Sequence, residues 1–133
     1  MNPQPETQQL SALQVALLRV LWDNGEATVA QVHAQLAEER GLAATTIATL
    51  LTRLERRGLV THRSEGRQFV YRALVEEKDV QLSQVRDLAD RVFEGSLAEL
   101  VSHLVAREDI DAGDLERVKA MIDAKTSSVR KGR

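Results

Sequence analysis

The apolar positions in the first half of the chain recur at helical spacing and then switch to alternation. Leu13, Leu17, Leu18 and Leu21 share one side of a helix, with Trp22 beside them. Ser11, with Gln14 three residues on, forms a capping box that opens this helix, and Asn24-Gly25 closes it. Thr28 and Gln31 repeat the device; Val29, Val32 and Leu36 make the second stripe, and Gly41 ends it. A third stretch, Ala43 to Gly58, places Ile47, Leu50, Leu51 and Leu54 at i, i+3, i+4 and i+7, the pattern of one buried face over about four turns. Gly58 is suited to the position after the last turn. Three helices are thus predicted within residues 11–57. The short join between the second and third suits a helix-turn-helix. Beyond Gly58 the period falls to two. Leu59–Arg63 and Gln68–Arg72 read as strands on either side of a turn at Ser64-Glu65-Gly66.

Three helices followed by a hairpin is the winged-helix arrangement. After Val75 the pattern returns to helices, now acidic. Residues 76–93 carry Val80, Val85, Leu88, Ala89, Val92 and Phe93 on one side, and Gly95 breaks the run. Ser96 with Glu99 opens a helix bearing Leu97, Leu100, Val101, Leu104 and Val105. Asp111 caps a last helix with Leu115, Val118, Met121 and Ile122. Below ~60 residues such a segment is too small and too poor in large apolar side chains to stand as a globule alone. Its three stripes can be buried against a second copy of the chain or back on the first domain; a two-fold homodimer is the expectation. The interface would use Val85, Leu88, Val92, Phe93, Leu97, Leu100, Val101, Leu104, Leu115, Val118 and Ile122. The expected fold is mainly α with a small β-hairpin wing. The expected division is a disordered N-terminus (1–9), a winged-helix domain (10–75), a helical dimerisation domain (76–125) and a basic, frayed tail (126–133).

Composition narrows the class. With 43% hydrophobic and 29% charged residues the chain is expected to fold in water. There is no cysteine, which excludes disulfides and thiol-based metal or redox chemistry. His33, His62 and His103 are far apart and lack ligand spacing, so no metal site and no cofactor is expected. No apolar run approaches the ~18 residues of a membrane span, and the N-terminal residues lack the features of a signal peptide, so a cytoplasmic protein is expected.

The net charge of −2 conceals a partition. Residues 1–42 sum to −3, 43–72 to +4, 73–124 to −7 and 125–133 to +4. The first basic block is the third helix and the hairpin. A local basic patch on an acidic body can bind phosphate and orient its approach. Opposite its apolar stripe, the third helix carries Thr45, Thr49, Thr52 and Arg56, flanked by Ala48 and Arg53, and no acid. Threonine hydroxyls meet base-edge donors or acceptors, their methyls meet thymine methyls, and arginine grips guanine or phosphate. The expected DNA contacts are Thr45, Thr46, Thr49 and Thr52 at base edges, Arg53, Arg56 and Arg57 at phosphate or guanine, and Ala48 on the flank of the same face. Arg63 and Arg67 on the wing would hold backbone and set register. A solvated amphipathic helix and a core-closing ribbon are the plain alternatives, weakened by the arginines at the hairpin tip. No nucleophile–base pair, metal cluster or phosphate loop points to an enzyme. A winged-helix protein-interaction module without DNA is the other alternative.

Several segments resemble the penicillinase-repressor family (BlaI and MecI, with the copper-responsive CopY relatives). They are Leu18–Trp22, Thr46-Ile47, Thr49–Leu54, Arg57-Gly58, Tyr71 through Leu74-Val75, and Val92–Ser96. The similarity spans residues 10–125. The resemblance implies a homodimeric repressor on a two-fold operator, released in its best-known members when a membrane sensor-protease system triggers cleavage in the dimerisation region. Three features depart from the family pattern. Ala43 and Ala44 stand where a Ser cap and a Pro are common; Thr45 and Ala48 stand where basic residues are common. The usual Asn-Phe cleavage pair falls on His103-Leu104. The copper-sensing branch uses C-terminal cysteines, and this chain has none.

Overall fold

The structure, a computed structural model, describes residues 6–106 and 110–131, with Glu39 and Lys131 by backbone alone. Its elements run α1 (Ala12–Asn24), β1 (Ala27–Thr28), α2 (Val29–Arg40), α3 (Ala44–Arg56), β2 (Val60–Glu65), β3 (Gln68–Ala73), α4 (Glu77–Val92), α5 (Leu97–Val105) and α6 (Ala112–Lys131). They divide into two compact units, one ending at Leu88 and one beginning at Ala89.

Two of the three expected capping boxes form in full. Ser11 Oγ accepts from Gln14 N–H at 3.1 Å while Gln14 Oε1 accepts from Ser11 N–H at 2.8 Å. Thr28 and Gln31 make the same pair at 3.2 and 2.8 Å. Each box satisfies helix-end donors that would otherwise lack partners. Leu17, Leu18, Leu21, Val32, Ile47, Leu51 and Leu54 are fully buried, so the helical stripes converge on one core. Leu50, on the same predicted face, is only partly buried against it.

β1 was not foreseen. It pairs antiparallel with β3 (Ala27 with Tyr71, Thr28 with Val70), making a three-stranded sheet in the order β1-β3-β2. Two residues, the second of them the N-cap of α2, offer no periodicity to read. The hairpin itself is tighter than expected. Glu65 pairs with Gln68, so Ser64 and Glu65 belong to β2 and the turn is only Gly66-Arg67. Gly66 takes the positive φ of 63° that the first position of a type II′ hairpin turn demands.

The first unit extends past the expected boundary at Val75. Val80 of α4 joins the core, and Trp22 Nε1 donates to the Val75 carbonyl at 2.9 Å. At the other end, residues 6–9 were expected to be disordered, yet they are fastened to α3 and α4 by the bonds detailed below. Residues 1–5 lie outside the described residues.

In the second unit, Glu94 and Gly95 both adopt left-handed φ (52° and 84°), turning the chain between α4 and α5. The Gly95 N–H donates to the Ala89 carbonyl at 2.9 Å. Ser96 Oγ accepts from Glu99 N–H at 3.1 Å, which is half of the expected capping box. Asp111 Oδ1 accepts from Gly113 N–H at 2.6 Å and caps α6. The tail differs from expectation: α6 runs on to Lys131, so residues 126–131 are helical and not frayed. Arg130 and Lys131 favour helix, the Thr126 hydroxyl donates back to the Ile122 carbonyl at 2.9 Å, and no Gly or Pro lies within residues 126–131.

Candidate nucleic-acid interface

α3 begins without a side-chain cap. Ala43 sits at the N-cap with no side chain to accept a hydrogen bond, and the first turn closes through Thr46 N–H and Ile47 N–H to the Ala43 carbonyl. It ends in a Schellman motif. Gly58 N–H donates to the Glu55 carbonyl and Leu59 N–H to the Leu54 carbonyl, both at 3.0 Å, with Gly58 at φ 79°. Between these ends Ile47, Leu51 and Leu54 are wholly buried, which fixes the rotation of the helix. Thr45, Thr46, Thr49, Thr52, Arg53 and Arg56 are consequently exposed, and Ala48 is half-buried.

The exposed threonines are less free than their composition suggests. Thr49 Oγ1 donates to the Thr45 carbonyl at 3.0 Å, and Thr52 Oγ1 to the Ala48 carbonyl at 2.9 Å. Their hydroxyl protons are spent on the helix backbone. What they keep for an incoming surface is a methyl group and oxygen lone pairs. Glu55, the acid of α3, is half-buried and bound at 2.6 Å to His62 Nδ1 of β2.

Arg57, an expected phosphate or guanine contact, is engaged within the first unit. Its guanidinium donates to the Glu6 and Gln8 carbonyls, and the side chain is only 22% exposed. The end of α3 therefore faces the N-terminal segment there. The wing divides its two expected contacts. Arg63 bonds Glu26 at 2.8 Å and Glu65 at 2.7 Å. These two carboxylates, Glu26 first, raise the Arg63 pKa above its ordinary value. Arg67, in the turn, is exposed and carries no ion pair among the described residues.

Aromatic residues that the sequence reading left unassigned complete the surface. Phe69, 48% exposed, stacks on His62 at 4.2 Å between centroids, and Tyr71 meets His62 at 5.3 Å. Burial pushes the Tyr71 phenol up; the Thr52 hydroxyl beside it acts in the opposite direction. A cleft of about 500 Å³ opens between the start of α2, α3 and β3, lined by Val29, Ala44, Ala48, Arg67, Phe69 and Tyr71 among others. The alternation of β3 could have placed Phe69 on the side of His62 and Tyr71. Nothing in the sequence could have shown that this side faces α3.

The expected dimerisation residues lie on α4, α5, α6 and the turn after α4. Val85 and Leu88 fall in the first unit; Val92, Phe93, Leu97, Leu100, Val101, Leu104, Leu115, Val118 and Ile122 fall in the second. Of these, Leu100 is buried and Phe93 and Leu115 are half-buried; the others are exposed. His103 and Leu104, the expected cleavage pair, are exposed in α5, with the His103 ring 5.7 Å from that of Phe93. Among the described residues no cluster of His, Asp or Glu has the makings of a metal site. No helix there is long and apolar enough to cross a membrane.

A family profile described as penicillinase repressor matches residues 10–124. The chain belongs to the penicillinase-repressor family. Among relatives of this family member, the methicillin resistance regulatory protein MecI of Mammaliicoccus sciuri is 24% identical over 120 residues, covering 90% of this chain and 98% of MecI. The transcriptional regulator BlaI of Mycobacterium tuberculosis is 35% identical over 120 residues, covering 87% of this chain and 86% of BlaI. The solved DNA-binding domain of the repressor BlaI superposes with a TM-score of 0.50 at 30% identity, over 59% of this chain and 93% of that domain. The fold of the first unit is the winged helix.

Proposed function

We propose that this family member is a transcriptional repressor that binds duplex DNA as a homodimer, one winged helix on each half of a two-fold operator. The observation that carries the reading is the rotation of α3. Its apolar side is locked in the core, so the side turned outward bears threonines and arginines and no acid. Such a face suits the major groove, where threonine methyls and oxygens and arginine guanidinium groups meet base edges. Thr45, Thr46, Thr49 and Thr52, with Ala48, read bases; Arg53 and Arg56 hold phosphate or guanine; Arg67 holds backbone beside the groove. The names of the relatives, repressors and regulators of transcription, support the same reading.

The second copy is supported by the exposed apolar stripes of α4, α5 and α6, which are wasteful on a lone chain. Release of the operator follows from loss of that pairing, either by cleavage at His103-Leu104 under a membrane sensor-protease system or by another signal acting on the helical unit. A salt-dependent gel shift against fragments of the source genome tests the proposal. Tight binding to a few fragments with inverted half-sites is expected. Equal, weak binding to all fragments would favour a winged helix that recognises protein instead.

A further inference from the structure

The segment ahead of α1 is laced to two helices at once. We propose that it is a strap through which α4 positions the reading helix α3, and that Arg57 is the positioning residue at its buckle and not a DNA ligand. The proposal rests on the reading of α3 as the DNA-contacting helix.

Arg57 stands at the C-cap of α3. One guanidinium nitrogen, Nη2, donates to the Glu6 carbonyl at 2.8 Å and to the Gln8 carbonyl at 2.5 Å. Its Nε, shielded from solvent, lies 3.6 Å from the Glu6 carboxylate. The backbone answers in the other direction: Glu6 N–H donates to the Arg57 carbonyl at 3.1 Å. Side chain and main chain of this one residue are thus both committed to the strap.

The intervening groups turn to α4. Ser83 Oγ donates to the Thr7 carbonyl at 2.9 Å, and Gln84 Nε2 to the Leu10 carbonyl at 3.3 Å. Gln9 N–H donates to the Asp87 carboxylate at 2.7 Å, a charge-assisted bond. The Glu6 and Gln8 carbonyls serve α3 while that of Thr7 serves α4, and the chain turns at Gln8-Gln9. Gln9 pays for this course with a left-handed φ of 58°, a conformation that a non-glycine residue keeps only when its surroundings hold it there. Leu10, 6% exposed, then anchors the strap in the core.

Asp87 therefore reaches Arg57 through two adjacent residues, Gln9 and Gln8. α4 is one continuous helix that runs on past Asp87 to Val92. A change that shifts α4 at Ser83–Asp87 pulls on the last turn of α3, whose arginines and threonines are the proposed DNA contacts.

The test uses the full chain. Arg57→Ala and Asp87→Ala should each weaken operator binding on the order of tenfold, the usual size of coupling between linked sites. Circular dichroism and thermal melts establish that the variants are folded at the assay temperature. Neither substitution should flatten the dependence of affinity on salt, because no phosphate contact is lost. Their double variant should lose less than the product of the two, because both cut the same strap. Arg57→Lys should fail to restore affinity, since a point charge keeps a phosphate contact but not the planar donor geometry. A flattened salt dependence in Arg57→Ala, recovery in Arg57→Lys, or a double variant equal to the product would each overturn the proposal. Hydrogen exchange on the DNA-free protein gives an independent reading. Asp87→Ala should speed exchange at Arg57, Gly58 and Leu59, and unchanged rates there would also overturn it. A wild-type chain that binds no fragment would refute the repressor reading, while the exchange experiment would still decide the strap.

Discussion

Arg63 in the wing and Glu26 at the foot of β1 are joined at 2.8 Å, and Glu65 closes on the same guanidinium at 2.7 Å. Two carboxylates around one cation tie up the Arg63 charge, where the sequence alone suggested a free cation at the tip. On the proposed reading Arg67 is the wing residue that meets the phosphate backbone. Arg67→Ala should lower the slope of log affinity against log salt by about 1 per lost contact, or ~2 per dimer. Arg63→Ala should change it much less. Fluorescence anisotropy with an operator duplex at several salt concentrations measures both. Equal flattening would mean that Arg63 abandons its carboxylates on DNA.

The same cluster makes a pH prediction. The Glu26 carboxyl lies below its ordinary value, first because Arg63 donates a hydrogen bond to it and further because of the Arg63 and Arg72 charges, while partial desolvation opposes the shift. A folded-state pKa below the unfolded one stabilises above the unfolded value, and the benefit is lost as pH falls through the folded one. The clamp should hold at neutral pH and open only below the usual glutamate range. Its members are solvent-exposed, so global stability should hardly register the change. An NMR titration of the Glu26 side chain should give a midpoint below that of a free glutamate, returning toward it in Arg63→Ala. A midpoint that ignores the substitution would remove Arg63 as the cause.

Helices were legible in this sequence because their signals are local: Ser11 with Gln14 and Thr28 with Gln31 cap within three residues, and the stripe of Ile47, Leu51 and Leu54 repeats with the turn. The outward face of α3 followed directly from that stripe. What failed to show was the destination of polar groups that act over long separations. Arg57 finds Glu6 and Gln8 across about fifty residues, and Arg63 finds Glu26 across 37. Neither partner lies within the span of any periodic pattern, so both arginines looked like free cations. β1 was hidden for a related reason, since its evidence is the register with Tyr71 and Val70 and not its own two residues.

The back-bonded hydroxyls of α3 predict how it reads bases. Thr49 donates its proton to the Thr45 carbonyl, so its outward offering is a methyl and an acceptor oxygen. Thr49→Ala should alter base preference at one fixed position of each half-site, by ~1–3 kcal/mol for a good contact. Thr49→Val, which keeps a methyl and drops the oxygen, should retain the preference if the partner is a thymine methyl. Binding selections from randomised half-sites compare the three chains. A uniform loss over all sequences would remove Thr49 from the reading set.

The early residues of α4 belong energetically to the winged helix. Val80 is 1% exposed in the first core, and burial of a valine side chain stabilises by about 1.5–3 kcal/mol. Ser83, Gln84 and Asp87 add the strap bonds. A chain ending at Leu88 should fold and remain monomeric. One ending at Val75 should be destabilised by several kcal/mol, of which Val80 supplies the largest part. Urea melts of the two truncated chains, with sedimentation of the first, make the comparison; equal midpoints would return the boundary to Val75.

Cleavage at His103-Leu104 makes the last prediction. Both residues sit in α5, and the Ala106 N–H closing that helix donates to the Ser102 carbonyl at 3.0 Å. A protease must open this turn locally before it can reach the bond. Once cut, the chain loses covalent connection to α6, with Leu115, Val118, Met121 and Ile122, most of them exposed and available to a second copy. Two half-site contacts hold an operator far more tightly than one only while the copies stay joined, so separation forfeits the effective concentration of the second contact. A chain ending at His103 should therefore sediment as a monomer at micromolar concentration and bind a two-fold operator on the order of a hundredfold more weakly than the full chain. Its affinity for a single half-site should be nearly unchanged, because α3 and the wing are untouched. A shortened chain that still dimerises would place the main interface on α4 and α5. Full-length protein recovered by intact mass from cells in which the operator has been vacated would move the release mechanism from proteolysis to a signal acting on the unbroken dimer.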